Sequence, residues 1–318
     1  MKNFCAELFI MACLIVALTP ETVVAQTSKA DVYIFCYFKG NGDGLHLAYS
    51  NDGFTWKAMF NDSIILKPTV SKDKLMRDPC IIRGKDGKFH MVWTVSWADK
   101  GLGYASSDDL LHWSEQKFIP VMMHEDSAKN TWAPEITYDQ KKRNYIIYWA
   151  TTIKSRFAQK DTSKEGAQNN HRIYYVTTKN FKKFSNTKLL YEPGFSVIDA
   201  SIVMDKKRYV MFLKNETKSP VEKNLRVAFA KKITGPYSLP SQPITGKYWA
   251  EGPTALKIGN EWIVYFDKYT SHKYGAVTST DLINWKDVSD KIVMPKGIRH
   301  GTAFTISREE FDKLVTAK

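Results

Sequence analysis

One kind of turn recurs along this chain, and that recurrence limits the possible folds more than any other feature. Ser50-Asn51-Asp52-Gly53-Phe54-Thr55-Trp56 is echoed by Ser107-Asp108-Asp109-Leu110-Leu111-His112-Trp113 and by Ser279-Thr280-Asp281-Leu282-Ile283-Asn284-Trp285. Weaker copies run from Thr178 to Phe184 and from Lys231 to Tyr237. The closing aromatics Trp56, Trp113, Phe184, Tyr237 and Trp285 fall roughly 50–70 residues apart, the size of a four-stranded repeat unit.

A second series keeps step with the first. Asp78 opens Asp78-Pro79-Cys80-Ile81-Ile82, Glu135 opens Glu135-Ile136-Thr137-Tyr138, and Asp199 opens Asp199-Ala200-Ser201-Ile202-Val203. Glu251 opens Glu251-Gly252-Pro253-Thr254, and His300 opens His300-Gly301-Thr302-Ala303. Each short run leads within a few residues into an alternating aromatic strand, such as Phe89 to Trp97 or Trp262 to Phe266. His300 lacks that successor, whereas Val32 to Phe38 reads as a second strand with no first strand before it. Pairing the two closes a ring. The expected fold is therefore all-β: a five-bladed β-propeller of about four strands per blade, sealed by the N-terminal segment and the C-terminal strand. A β-sandwich would not put five polar residues in phase. Only Arg308 to Val315 reads as a short helix.

In such a ring the innermost strands start at one mouth of the axial channel. The repeat thus gathers Asp78, Glu135, Asp199, Glu251 and His300 into a single funnel. Crowded carboxyls resist joint ionisation, which can separate a protonated acid from a charged base.

The motifs Arg77-Asp78-Pro79, Trp132-Ala133-Pro134-Glu135, Ile198-Asp199-Ala200-Ser201, Glu251-Gly252-Pro253 and Arg299-His300-Gly301 occur in this order at blade spacing. In them the chain resembles glycoside hydrolase family 43, five-bladed propeller glycosidases, over essentially everything after residue 25. The resemblance implies that Asp78 is the general base activating water for inverting attack. It implies that Glu251 is the general acid and that Asp199 positions the acid. Glu135 is expected in substrate or network contacts and His300 on the axis, where the resemblance admits a structural calcium, reached through water because a neutral imidazole suits that ion poorly. No cofactor is required for the chemistry, and no metal ligand is assigned. Arg299 is expected to reach a sugar hydroxyl or a blade-loop salt bridge, and Trp132 and Trp249 to offer apolar faces to a sugar ring. The implied substrate is an oligosaccharide or polysaccharide of plant type. The favoured activity is an exo-acting α-L-arabinofuranosidase, with β-xylosidase and galactan-directed hydrolysis as alternatives within the family and a non-catalytic carbohydrate-binding propeller outside it.

The rest of the sequence bounds this reading. Hydrophobic residues make 43% of the chain and charged residues 25%, which excludes general disorder. Lys2, the apolar run from Leu8 to Leu18 and Val23-Val24-Ala25 read as a signal peptide over residues 1–25. The expected product is an exported domain over 26–318, periplasmic or extracellular and monomeric. No later run is long enough for a membrane span. Only Cys36 and Cys80 follow the signal, and no metal-type Cys/His spacing occurs. The 46 Lys+Arg against 33 Asp+Glu give a net charge of +13. Alternating strands offer no nucleic-acid module for that charge. Lys85 to Lys88, Lys141-Lys142-Arg143 and Lys206-Lys207-Arg208 fall instead at turns opposite the funnel, predicting a basic underside suited to acidic glycans or an anionic surface.

Overall fold

A computed structural model describes residues 31–317 apart from residue 167, together with Met1. The expected signal segment lies outside the described residues. Among the described residues nineteen strands follow one another. The first three are β1 (Val32–Tyr37), β2 (His46–Ser50) and β3 (Lys57–Ala58), and the next four are β4 (Arg77–Arg83), β5 (Phe89–Thr94), β6 (Leu102–Ser107) and β7 (Lys117–Ile119). Then come β8 (Trp132–Asp139), β9 (Asn144–Thr152), β10 (His171–Thr178), β11 (Lys188–Tyr191), β12 (Val197–Asp205), β13 (Arg208–Asn215) and β14 (Asn224–Ala230). The last are β15 (Glu251–Ile258), β16 (Glu261–Lys268), β17 (Lys273–Ser279), β18 (Lys286–Asp287) and β19 (Thr302–Ile306), followed by helix α1 (Arg308–Thr316).

The strands form five antiparallel sheets, and the innermost strands β4, β8, β12, β15 and β19 touch one another in a closed circuit. The molecule is a five-bladed β-propeller. As expected, the seam is β19 pairing with β1, in register from Val32↔Ile306 to Cys36↔Thr302. The second strands are buried on both faces between blades, which is why β5 and β13 read as nearly unbroken apolar runs. The blade of β12 to β14 holds three strands rather than four. Its outer edge carries Pro236, Pro240 and Pro243, which cannot donate to a ladder. The segment still pairs with β14 through Ser238 N, Ser241 N and Ile244 N.

The recurring turns are structural devices. Asp52 Oδ1 accepts bonds from Phe54 N (2.7 Å) and Thr55 N (2.8 Å) while Ser50 Oγ accepts from Gly53 N. Asp109 with Ser107 and Asp281 with Ser279 repeat the arrangement, and Asn180 with Thr178 supplies a weaker copy.

Four innermost strands bulge at one level. The register shifts between Arg77 and Cys80, Trp132 and Glu135, Ile198 and Ser201, and Glu251 and Thr254. Within the bulges Asp78, Ala133, Asp199 and Gly252 take φ of 52°, 49°, 54° and 61°. For the three non-glycine residues that conformation costs about 1–3 kcal/mol each. Bulges re-aim side chains, and freed backbone groups need new partners. Neighbouring blades supply them: Thr94 Oγ1 accepts from Ala133 N (2.8 Å), and Asp199 Oδ2 accepts from Gly252 N (3.0 Å).

Gly301 enters the seam where a Cβ would stand 1.9 Å from the carbonyl oxygen of Cys36. Gly301→Ala is expected to cost about 1–3 kcal/mol and to lower the melting temperature by several degrees. Gly40→Ala, where a Cβ meets nothing within 4 Å, should leave it unchanged. Equal melting curves for the two variants would contradict this account of the seam.

Candidate functional site

Asp78, Asp199 and Glu251 line one cavity of about 170 Å³ at the mouth of the ring, with Arg77, Trp97, Trp132, Lys214, Glu216 and His300 around them. Asp78 and Asp199 come from equivalent bulges in β4 and β12, and Glu251 sits one residue before the bulge of β15. Blade geometry, not sequence proximity, brings them together.

Each carboxylate has its own partners. Asp78 Oδ1 lies 3.3 Å from His300 Nδ1, and its Oδ2 accepts from Thr94 Oγ1 at 2.9 Å. Burial opposes the charged form of Asp78, but the hydrogen bond and charge of His300, with help from Arg77 and Thr94, hold its carboxyl down at about 2. Burial pushes Asp199 up to about 6, against the pull of His300 and Lys214 and with the repulsion of Glu251 and Asp78. Glu251 Oε2 accepts from Lys214 Nζ at 3.1 Å and Oε1 from Arg299 Nη2 at 3.3 Å. Two carboxyl groups lining one cavity, Asp78 and Asp199, are thus driven in opposite directions by their different neighbours.

His300 ties the centre together. Burial disfavours its charge, yet Asp199, Asp78 and Glu135 raise it to about 9, so it stands as an imidazolium at neutral pH. An imidazolium cannot ligate a cation. Among the described residues no group of three or more His, Cys, Asp or Glu is placed to hold a metal. The side chains around His300 thus form no direct cage for a calcium.

Glu135 is not at the mouth. The bulge position of its strand is taken by Ala133, which puts Glu135 one layer deeper, where it does not line the cavity. Its Oε1 accepts from Thr302 Oγ1 (3.0 Å) and its Oε2 meets Cys80 Sγ at 3.5 Å. Burial raises it to about 7. Cys80 and Cys36 are buried free thiols. Trp132 stands in the wall edge-on to Trp97, with its Nε1 donating to the Trp97 carbonyl at 3.1 Å. Trp249 does not line the cavity; it lies against Tyr269 and under Lys223 Nζ. Arg299 spans Asp267 and Glu251, the salt-bridge alternative of its two expected roles.

Sequence reasoning missed Thr94, Lys214, Glu216 and Asp267. Thr94 ends β5, Lys214 and Asp267 are the last residues but one of β13 and β16, and the three pair across to Arg77, Ile198 and Glu251. Lys214 is 3% exposed and bonds both Glu216 and Glu251. The available signal was a polar residue closing an otherwise apolar strand, as in Tyr-Val-Met-Phe-Leu-Lys and Trp-Ile-Val-Tyr-Phe-Asp.

The raised pKa of His300 implies pH-linked stability. A basic group raised in the folded state contributes fully below its unfolded pKa of about 6.5 and loses that contribution as pH rises through about 9. The stability gap between the native chain and His300→Asn should therefore shrink by about 2–3 kcal/mol between pH 6 and pH 10, read by urea denaturation. A gap that stays constant or widens would contradict the assignment.

A family model described as a probable glycosyl hydrolase domain matches residues 29–312. A curated α-L-arabinofuranosidase of Bifidobacterium longum subsp. longum is 23% identical over 185 residues, which is 52% of this chain and 17% of that protein. This chain therefore matches less than a fifth of that relative's length. Among solved structures, an α-L-arabinofuranosidase from Lactobacillus brevis superposes with a TM-score of 0.51 at 18% identity, covering 67% of this chain and 72% of that one. An exo-β-1,3-galactanase from Phanerochaete chrysosporium with galactose superposes with a TM-score of 0.52 at 14% identity, covering 67% and 49%. At these identities the superpositions speak for the fold alone. The family model, spanning most of a propeller that carries the carboxylates at its mouth, shows that the chain belongs to the family-43-related glycosyl hydrolases.

Proposed function

We propose that this chain is an inverting, exo-acting α-L-arabinofuranosidase that removes terminal arabinose from plant-type polysaccharide side chains. Asp78 is the general base, Glu251 the general acid, and Asp199 the carboxyl that positions the acid. One observation carries this reading: three carboxylates share a single small cavity, and the one assigned as base is held charged by an imidazolium.

In the proposed reaction a water bound by Asp78 attacks the anomeric carbon from one face of the sugar. Its proton passes to the Asp78 carboxylate. Glu251 gives a proton to the departing glycosidic oxygen on the other face. Such a pair works across a gap of roughly 6.5–9.5 Å, wide enough for the water. Asp78 and Glu251 belong to strands of different blades, an arrangement suited to such a gap. The substitution of Asp199 would act through Glu251, whose neighbour it is.

Exo action is supported by size. The cavity of about 170 Å³ is well under the roughly 300–1,000 Å³ of pockets for larger ligands, so one terminal ring is the fitting occupant. Beside it, the segment between β9 and β10 is fastened to the loop after β13: Asp161 accepts from Lys218 N (2.6 Å) and Ser219 N (3.2 Å). The curated arabinofuranosidase matched over 185 residues favours arabinose, and galactan, an alternative implied by the family resemblance, is the second reading.

Asp78→Asn should reduce kcat/KM by about 10²–10⁴ on every substrate, the usual range for losing a general base. Glu251→Gln should lose as much on an arabino-oligosaccharide but markedly less on an aryl arabinofuranoside, whose leaving group needs no proton. Parallel assays on aryl galactosides and xylosides test the sugar. Asp78→Asn with more than a tenth of native activity would sink the catalytic assignment, and preferential hydrolysis of a galactoside would replace arabinose with galactan.

A further inference from the structure

The face opposite the mouth carries a second concavity. Strands β8 and β12 start at the mouth, so the turns that end them, at residues 139–144 and 205–208, lie on the underside. The loop leaving β14 at Lys231 joins them there. A side-chain hydrogen bond ties the two strands together on the way to those turns: Thr137 Oγ1 of β8 donates to the Ile202 carbonyl of β12 at 3.1 Å. Beside them is a cavity of about 550 Å³ lined by Arg208, Phe229, Lys231, Lys232 and Pro236.

Its charge is one-sided. Lys141, Lys142, Arg143, Lys206, Lys207, Lys231 and Lys232 are exposed, and among the described residues none of them has an ion-pair partner. The two carboxylates of these segments are buried and already engaged. Asp139 accepts from Lys141 N (2.9 Å) and Lys142 N (3.2 Å), and Asp205 meets Arg208 (3.7 Å) and Lys257 (3.3 Å). The Arg208 guanidinium lies 4.3 Å from the Phe229 ring centroid, which presents a planar cation beside an apolar floor.

We propose that this underside is a binding site for a carboxylated polysaccharide, separate from the catalytic mouth. Carboxylates match the fork of Arg208 and the point charges of the lysines. The C–H face of a sugar ring matches Phe229 and Pro236. Cations on two adjacent blades suit an extended polyanion more than a single anion. The hollow with its apolar floor favours a glycan over a lipid surface, which needs no hollow, and over a nucleic acid. The site would hold the enzyme on acidic polymer while the mouth faces away toward neutral side chains.

Polygalacturonate is the probe, with its fully methyl-esterified form as the uncharged control. In affinity electrophoresis the full chain should be retarded by polygalacturonate and not by the ester. Lys231→Glu/Lys232→Glu should weaken binding at least tenfold, with hydrolysis of a small aryl glycoside unchanged. Lys72→Glu/Lys74→Glu, an equal charge change beside the segment leading into β4, should keep the binding. No retardation, equal loss in both variants, or equal binding to anionic phospholipid vesicles or duplex DNA would overturn the proposal. The readout is binding, so a failure here is distinct from any failure of the assigned hydrolysis.

Discussion

The molecule depends on the closure of its ring. Five innermost strands can converge on one axis only if the last blade is completed, and β19 completes it by pairing with β1 from the other end of the chain. Without that pairing, β1 and β19 would each present an open edge, and the strand starts would have no common mouth. The close approach of Gly301 to Cys36 shows how little room the seam leaves. Everything chemical in the protein is a consequence of where that ring places the first residues of its strands.

The ring places acids together, and the protein then manages their repulsion with cations placed asymmetrically. His300 faces Asp78, while Lys214 and Arg299 take Glu251. Asp199 is left with burial as its dominant influence and rises. Lys214 stays charged despite burial because Glu216 and Glu251 oppose that cost. A backbone device works in parallel: the strained bulges at Asp78 and Asp199 aim both carboxyls at the axis, where His300 meets Asp78 and Gly252 N donates to Asp199, each from an adjacent blade.

Much of this was legible in the sequence because a propeller repeats. The Ser-x-Asp turns and the seam between Val32 and Ile306 followed from phase, and the resemblance to family 43 singled out Asp78, Asp199 and Glu251 from the five phased residues. What phase could not show is depth. Glu135 belongs to the same series by spacing, but the bulge in β8 falls at Ala133, and the carboxyl drops one layer below the cavity. Trp249 is two residues from Glu251 yet lies before β15 begins, so strand alternation does not carry its ring to the site. Lys214, Thr94 and Asp267 act through cross-strand register, which a single polar residue in an apolar strand only hints at. The repeat did not foretell the missing fourth strand after β14, where Pro236, Pro240 and Pro243 interrupt the ladder without moving the site.

The central claim is that Asp78 and Glu251 work from opposite faces of one sugar, with a water molecule between them. The most direct measurement is the configuration of the first-formed product, followed by proton NMR during hydrolysis of an aryl α-L-arabinofuranoside, before mutarotation mixes the anomers. The account predicts that the β-anomer appears first. First appearance of the α-anomer would mean a covalent intermediate and a carboxylate acting as nucleophile, and would contradict it.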